Sequence, residues 1–148
     1  MTRQHLNIEA MQAMVDRSSF NRWLGMRVVS IDEHELCMKI RWRDELVSSP
    51  ERQSTHGGVI AALIDCSADY VIAATIGHAL PTLDLHIDYH RVALPGDLLA
   101  KASITHLGAK LGVAKAHITD GKGQLIASGR GMYMVTPPPV ASPPPNAS

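Results

Sequence analysis

The longest apolar run of the chain extends from Val59 to Ile76 and reads VIAALIDCSADYVIAATI. Alanine, valine, isoleucine and leucine occupy every direction of a helical period, a pattern typical of a helix that is buried on all sides. Gly57-Gly58 precede this run, and Gly77 follows it as an expected helix stop. The chain therefore predicts one long buried helix, and a carboxylate, Asp65, lies inside it.

Alternating apolar and polar positions predict strands on both sides of this helix. Two apolar runs, at residues 28–31 and 36–42, flank the polar residues 32–34 and predict a hairpin. Residues 82–91 alternate, with Leu83, Leu85, Ile87 and Tyr89 on one face. Turn residues then separate three further predicted strands, at 98–107, 111–119 and 124–135. At the start of the chain, residues 6–20 predict one short amphipathic helix.

These elements predict an α+β domain in which an antiparallel sheet of five or six strands wraps around the long helix. The domain is expected to span residues 1–135, with an N-terminal helical segment at 1–23. Residues 136–148 are proline-rich and are expected to form a disordered extension. Because the helix is more apolar than one twisted sheet can cover, we also expect at least a homodimer.

Composition removes several classes of partner. The chain has 14 basic and 14 acidic side chains and no block of like charge, so neither nucleic acid nor an anionic membrane surface is an expected partner. Polar residues interrupt the long helix, which argues against a membrane span. Cys37 and Cys66 show no metal-ligand spacing and, with no secretory signal in the first twenty residues, indicate reduced thiols in a cytoplasmic protein. His86, Asp88 and His90 share one strand face, which we interpret as solvated rather than as a metal site.

Asp65 is the main candidate for chemistry. An unpaired carboxylate in a buried helix is costly, and no basic residue lies within one helical turn of it. The glycine pair at the start of the helix offers backbone N–H groups where negative charge is stabilised. Amide donors and a nearby carboxylate are the parts of a hydrolytic site for a carbonyl substrate. Asp69, one turn later, is expected to face solvent or a subunit interface.

Three segments together resemble the hotdog-fold acyl-CoA thioesterases of the phenylacetic-acid-degradation (PaaI-like) branch. They are His56-Gly57-Gly58 followed by Asp65, the strand Thr82-x-Asp84-Leu85-x-Ile87-x-Tyr89-x-Arg91, and Pro95-Gly96-Asp97. The likeness covers about residues 24–135. It implies a hotdog fold, assembly as a dimer or a dimer of dimers with active sites at the subunit interface, and hydrolysis of acyl-CoA without a metal or other cofactor.

The resemblance also implies a role for each matching residue. Asp65 activates the attacking water or attacks directly, and Thr82 helps to hold that water. The Gly57 amide, donated from the facing subunit, holds the thioester oxygen. His56 shapes the loop rather than transferring protons, and Gly58 is expected to contact the substrate.

One departure from the family pattern concerns the second contact to the thioester oxygen. The family often carries an asparagine six residues before the histidine, where this chain has Pro50, which has no N–H to donate. Gln53 is the first candidate to replace that contact. Arg91, Lys101 and Lys110 are candidates for the phosphates of coenzyme A.

Two other functions remain open from the sequence. A non-catalytic acyl-CoA-binding module is favoured by Pro50. An enoyl-thioester hydratase or dehydratase on the same fold would need His56 and Asp65 to act as a pair. The acyl group is not predicted.

Overall fold

The computed structural model describes residues 7–136. Two short helices, α1 (Ile8–Val15) and α2 (Ser19–Leu24), precede the hairpin formed by β1 (Arg27–Ile31) and β2 (Glu35–Ile40). A 3-10 turn (Asp44–Leu46) leads to the long helix α3 (Gly57–Ile76). The remaining elements are strands, β3 (Thr82–Tyr89), β4 (Leu98–Leu107), β5 (Leu111–Thr119) and β6 (Leu125–Met134). All pair antiparallel in one six-stranded sheet of order β1-β2-β4-β5-β6-β3.

Helix α3 is the centre of the core, as predicted. It packs against strands β2 to β6, and its buried side chains include Ile60, Leu63, Ile64 and Ala68. The helix ends at Gly77, whose φ of 92° is the left-handed conformation that glycine adopts readily. By length and hydropathy α3 could cross a membrane, but here it is the core helix of the domain.

The N-terminal segment differs from the single predicted helix. The chain turns after Val15, and Ser18 starts a second helix by accepting a hydrogen bond from the Asn21 amide at 3.3 Å. Asn21 in turn donates to the hydroxyl of Tyr70 on α3 at 3.2 Å, which ties this segment to the core. A serine that competes for backbone hydrogen bonds favours a helix start over a helix interior. The predicted tail at 136–148 lies, beyond Thr136, outside the described residues.

Strand β3 forms one edge of the sheet and is irregular where it begins. Its pairing with β6 shifts register between Thr82 and Asp84, so Leu83 is an extra residue in the strand. Such a bulge reverses which face the preceding side chain points to. Thr82 therefore shares the inner face with Leu85, whereas simple alternation had placed Leu83 there.

The edge at β3 leaves large apolar side chains uncovered. Leu83 and Tyr89 on the strand are about half exposed, and Val92 and Leu94, just beyond it, are 63% and 68% exposed. An unpaired strand edge with apolar neighbours is a template for a second chain.

Candidate active site

Asp65 lies on α3 beneath the junction of strands β3 and β6. The Thr82 hydroxyl donates to Asp65 Oδ1 at 2.9 Å. The Tyr133 hydroxyl lies 3.1 Å from the same oxygen and 2.9 Å from the backbone carbonyl oxygen of Asp65. Within residues 7–136, Asp65 has no ion pair and its Oδ2 has no hydrogen-bond partner. Within the described part of the chain, the carboxylate is thus held through Oδ1 alone.

The two hydroxyls converge on Asp65 because of strand register. Thr82 on β3 and Tyr133 on β6 are directly opposite each other in the antiparallel pair. Side chains in such a pair point to the same face of the sheet. The bulge at Leu83 creates this pairing, since unbroken alternation would turn Thr82 to the outer face. The sequence therefore identified Thr82 through the family resemblance, and it missed Tyr133.

The start of α3 presents a single unused backbone donor. His56 is the N-cap residue, and its Nδ1 accepts a hydrogen bond from the Gly58 amide at 2.8 Å. The next amides, of Val59 and Ile60, donate to the carbonyl oxygen of His56. Among the described residues, nothing accepts from the Gly57 N–H. Because it stands at the positive end of the helix dipole, this N–H suits an oxygen that gains negative charge.

A cleft of about 340 Å³ opens beside Gly57. Ile60, Tyr89 and Arg91 are among the residues that line it. The Tyr89 hydroxyl donates to the Gly57 carbonyl oxygen at 2.7 Å and so fixes the strand against the start of the helix. The wall of this cleft thus combines the first residue of α3 with an apolar side chain, a tyrosine and an arginine.

Of the other predicted substrate-binding residues, only some lie beside the cleft at Gly57. Arg91 lines the cleft beside Gly57, whereas the Gly58 amide is already used by His56. The Gln53 side-chain amide donates to the Pro50 carbonyl oxygen at 2.9 Å, and Gln53 does not line the cleft. Lys110 lies in the β4–β5 turn, where its carbonyl oxygen accepts from the Val135 amide, at the end of the sheet that carries Thr82.

The remaining cation candidate and the outer-face histidines lie elsewhere. Lys101, on β4, lies 3.8 Å from the Glu35 carboxylate. His86 lies 3.3 Å from Asp88, and His90 lies 2.7 Å from the Ser128 hydroxyl. Within residues 7–136, no three histidine, cysteine or acidic side chains are grouped to hold a metal ion.

Asp69 is half-buried in the single chain, and its place at a subunit interface stays a prediction. Its Oδ1 accepts a hydrogen bond from the Leu80 amide at 2.9 Å, which pins the connection between α3 and β3 just before Thr82. Burial raises the pKa of Asp69 to about 7, the Leu80 amide lowers it and the charge of Asp65 raises it further. A second titratable carboxyl thus lies one turn from Asp65.

A six-stranded antiparallel sheet around one long buried helix defines the hotdog fold. Residues 53–127 match the Thioesterase superfamily, and the chain belongs to that family.

Comparisons with relatives agree on the class. A solved structure of a protein from the thioesterase superfamily is 49% identical, with a TM-score of 0.83 over 86% of this chain and 96% of that one. The Escherichia coli PaaI structure, from the phenylacetic acid degradation operon, is 25% identical, with a TM-score of 0.72 over 83% and 88% of the two chains. The medium/long-chain acyl-CoA thioesterase YigI of Escherichia coli is 27% identical over 131 residues, 78% of this chain and 84% of YigI. The predicted fold, PaaI-like type and enzyme class are confirmed.

Proposed function

We propose that the protein hydrolyses acyl-CoA thioesters at sites formed between two copies of the chain. In each site, Asp65 of one copy activates water and the Gly57 N–H of the other copy holds the thioester oxygen. The observation that carries the proposal is the pair of unused groups on one helix, Asp65 Oδ2 and the Gly57 N–H.

The spacing of these two groups supports a site shared by two copies. Gly57 and Asp65 are eight residues apart on α3, so at the helical rise of 1.5 Å per residue they are separated by about 12 Å. A single carbonyl group cannot contact both groups at that distance. Two α3 helices that run antiparallel across a two-fold axis would bring Gly57 of each copy to Asp65 of the other. The uncovered β3 edge, with Val92 and Leu94 beside it, supports pairing of two copies there.

The proposed reaction runs in two steps. Asp65 Oδ2 takes a proton from water as the water oxygen bonds to the carbonyl carbon. The carbonyl oxygen gains negative charge and accepts a hydrogen bond from the Gly57 N–H of the second copy. When the intermediate collapses, the carbon–sulfur bond breaks and the thiolate takes the proton from Asp65. The products are the free acid and coenzyme A.

Acyl-CoA is the proposed substrate because the acyl group of a thioester is attached to a thiol-bearing molecule. Coenzyme A is such a molecule, and the predicted cations suit its phosphates. Arg91 lies beside Gly57, and Lys110 lies at the sheet end that carries Thr82. When two copies pair antiparallel, the end with Arg91 in one copy faces the end with Lys110 in the other. Cations from both copies would then border one site. The relative YigI is named for medium- and long-chain acyl-CoA, and those chain lengths are the first to test.

The structure gives no support to a histidine–carboxylate pair within one chain. His56 caps α3 and is engaged with the Gly58 amide. It lies nine residues before Asp65, which is about 13 Å along the helix. The hydratase alternative, which needs His56 and Asp65 together, would therefore also need the second copy, and there the Nδ1 atom of His56 would still be engaged with the Gly58 amide.

The test is release of free thiol from short-, medium-, long-chain and aryl acyl-CoA, with the wild type beside Asp65→Asn. We expect turnover with at least one acyl class and its near-complete loss in the variant, because asparagine cannot take the proton. The variant should remain folded, since its side-chain oxygen still accepts from Thr82 and Tyr133. Retained hydrolysis in folded Asp65→Asn would overturn the assignment of Asp65.

A further inference from the structure

We propose that Tyr133 is a positioning residue for the reacting carboxylate and that Gly131 provides the space in which it acts. The tyrosine hydroxyl fixes Asp65 so that Oδ1 is used within the protein and Oδ2 faces the substrate. The inference rests on the proposed function of Asp65, and its test is designed to separate the two.

The contacts of Tyr133 join the side chain and the backbone of one residue. Its hydroxyl lies 2.9 Å from the Asp65 carbonyl oxygen and 3.1 Å from Asp65 Oδ1. Oδ1 also accepts from Thr82 at 2.9 Å. The single phenolic proton is shared between the two Asp65 oxygens, and turning the carboxylate about its Cβ–Cγ bond would break both this shared contact and the Thr82 hydrogen bond. The orientation of Oδ2 is thereby fixed. A fixed orientation is the preorganisation that proton transfer from a bound water requires.

Gly131 is explained by the ring of Tyr133 and not by its own backbone. A Cβ atom placed on Gly131 would overlap the hydroxyl and ring atoms of Tyr133. Four glycines of the described residues have positive φ, and Gly131 is not one of them. A glycine at this position is therefore explained by the room it leaves for Tyr133 and not by its backbone conformation. Tyr133 is fully buried, and its ring folds back along β6 over Gly131 to reach α3.

The hydroxyl is suited to donating a hydrogen bond and not to exchanging a proton. Burial raises the pKa of Tyr133 far above its ordinary value, and the charge of Asp65 raises it further. The phenol thus stays protonated throughout the pH range in which the protein would work. Tyr133 acts through Asp65 and does not itself need to touch the substrate.

The first test is Tyr133→Phe, which removes the hydroxyl and keeps the ring over Gly131. We expect kcat for thiol release to fall about tenfold or more, as for loss of one hydrogen bond to a charged group. KM should stay within about twofold, because the coenzyme A contacts are elsewhere. Tyr70→Phe is the matched control, since Tyr70 is a buried tyrosine whose hydroxyl is bonded to Asn21 instead, and it should keep wild-type kcat.

The second test is Gly131→Ala, which retains the tyrosine but displaces its hydroxyl. We expect a comparable fall in kcat when Gly131→Ala is made alone. In the Tyr133→Phe background, the added methyl group still overlaps the ring, so Tm should fall, but kcat of the folded enzyme should fall by less than about twofold because the hydrogen bond is already absent. A purely structural role would instead give kcat losses that follow the fall in Tm and add in the double variant.

The outcomes distinguish this inference from the proposed function. If Asp65→Asn is inactive but Tyr133→Phe keeps wild-type kcat, the positioning role is wrong and the assignment of Asp65 stands. If Asp65→Asn is active, the assignment of Asp65 fails, and the role of Tyr133 fails with it. If Tyr133→Phe raises KM and leaves kcat unchanged, Tyr133 contributes to substrate binding and the inference is overturned.

Discussion

The Gly58 amide donates to the Nδ1 atom of His56 at 2.8 Å, and this bond determines which backbone donor remains at the start of α3. With Gly58 engaged and the next two amides bonded to the His56 carbonyl oxygen, the Gly57 N–H is the one left without an acceptor among residues 7–136. The imidazole thus caps the helix and selects the donor at the same time. A histidine before two glycines gains a specific physical role in this arrangement.

Gly57→Pro tests that donor directly. Proline lacks the N–H but is well tolerated at the first position of a helix. The residue before it, His56, has a ψ of 134°, which is the extended conformation that a following proline requires. Loss of one oxyanion donor should lower kcat by about 10²–10³-fold, measured as thiol release, while the helix still forms.

Gly57→Ala is the matched control for this proline variant, because it keeps the N–H. An alanine Cβ would lie 3.4 Å from the Tyr89 hydroxyl, an ordinary contact, so we expect kcat within a few-fold of the wild type. Equal activity of folded Gly57→Pro and Gly57→Ala would contradict the role of this amide.

A mixture of two inactive variants tests the interface site. In a heterodimer of Gly57→Pro and Asp65→Asn, one site carries both substitutions and the other carries neither. If half of the dimers are heterodimers after unfolding and refolding together, about a quarter of wild-type activity should return. Each variant refolded alone is the control. If both groups acted within one chain, no activity would return in the mixture.

The role of the Thr82 hydroxyl can be tested by comparing a variant that removes the hydroxyl with one that keeps it. Thr82→Ala removes a hydrogen bond to a charged oxygen, so we expect kcat to fall about tenfold. Thr82→Ser keeps the hydroxyl and should restore most of the activity. Because Thr82 is exposed in the single chain, Tm should change little in either variant. A loss of activity that serine does not restore would indicate a packing role for the threonine methyl group.

Most of the fold was predictable because its signals are local. The apolar run that forms α3 and the turn residues between strands lie in continuous segments, and both predictions are confirmed with bounds within a few residues. The prediction of a single N-terminal helix was wrong in one respect: Ser18 caps a second helix, and the hydrogen bond from Asn21 to Tyr70 holds that helix against α3. That contact joins segments far apart in the chain, which periodicity does not report.

The candidate site was less predictable because it depends on register and long-range contacts. Alternation placed Thr82 on the polar face of its strand, and only the bulge at Leu83 turns it towards Asp65. Tyr133 lies 68 residues from Asp65 in the chain, and its only local signal is the glycine two residues before it. For Asp69, the hydrogen bond from the Leu80 amide was not predictable, because it forms only when the chain folds back after α3.

Asp69 should make stability depend on pH. Its folded-state pKa is about 7, against an ordinary value of 3.8, because burial disfavours the charged form. Below about pH 3 the carboxyl is protonated in both states. As the pH rises from 4 to 7, the unfolded chain loses the proton while the folded chain keeps it, so the free energy of unfolding falls. Above pH 7 both states are ionised, and the free energy of unfolding falls no further on this account. The fall is on the order of 4 kcal/mol at most.

Asp69→Asn should remove this dependence, since an amide does not ionise and its oxygen still accepts from Leu80. Urea unfolding at intervals from pH 4 to pH 8 measures the effect as the difference in unfolding free energy between variant and wild type. We expect that difference to shift in favour of the variant as the pH rises, whatever constant offset the amide introduces. Glu33→Gln, an exposed carboxylate in the β1–β2 turn, is the control and should give curves parallel to the wild type. Parallel curves for Asp69→Asn as well would show that Asp69 ionises alike in the folded and unfolded states.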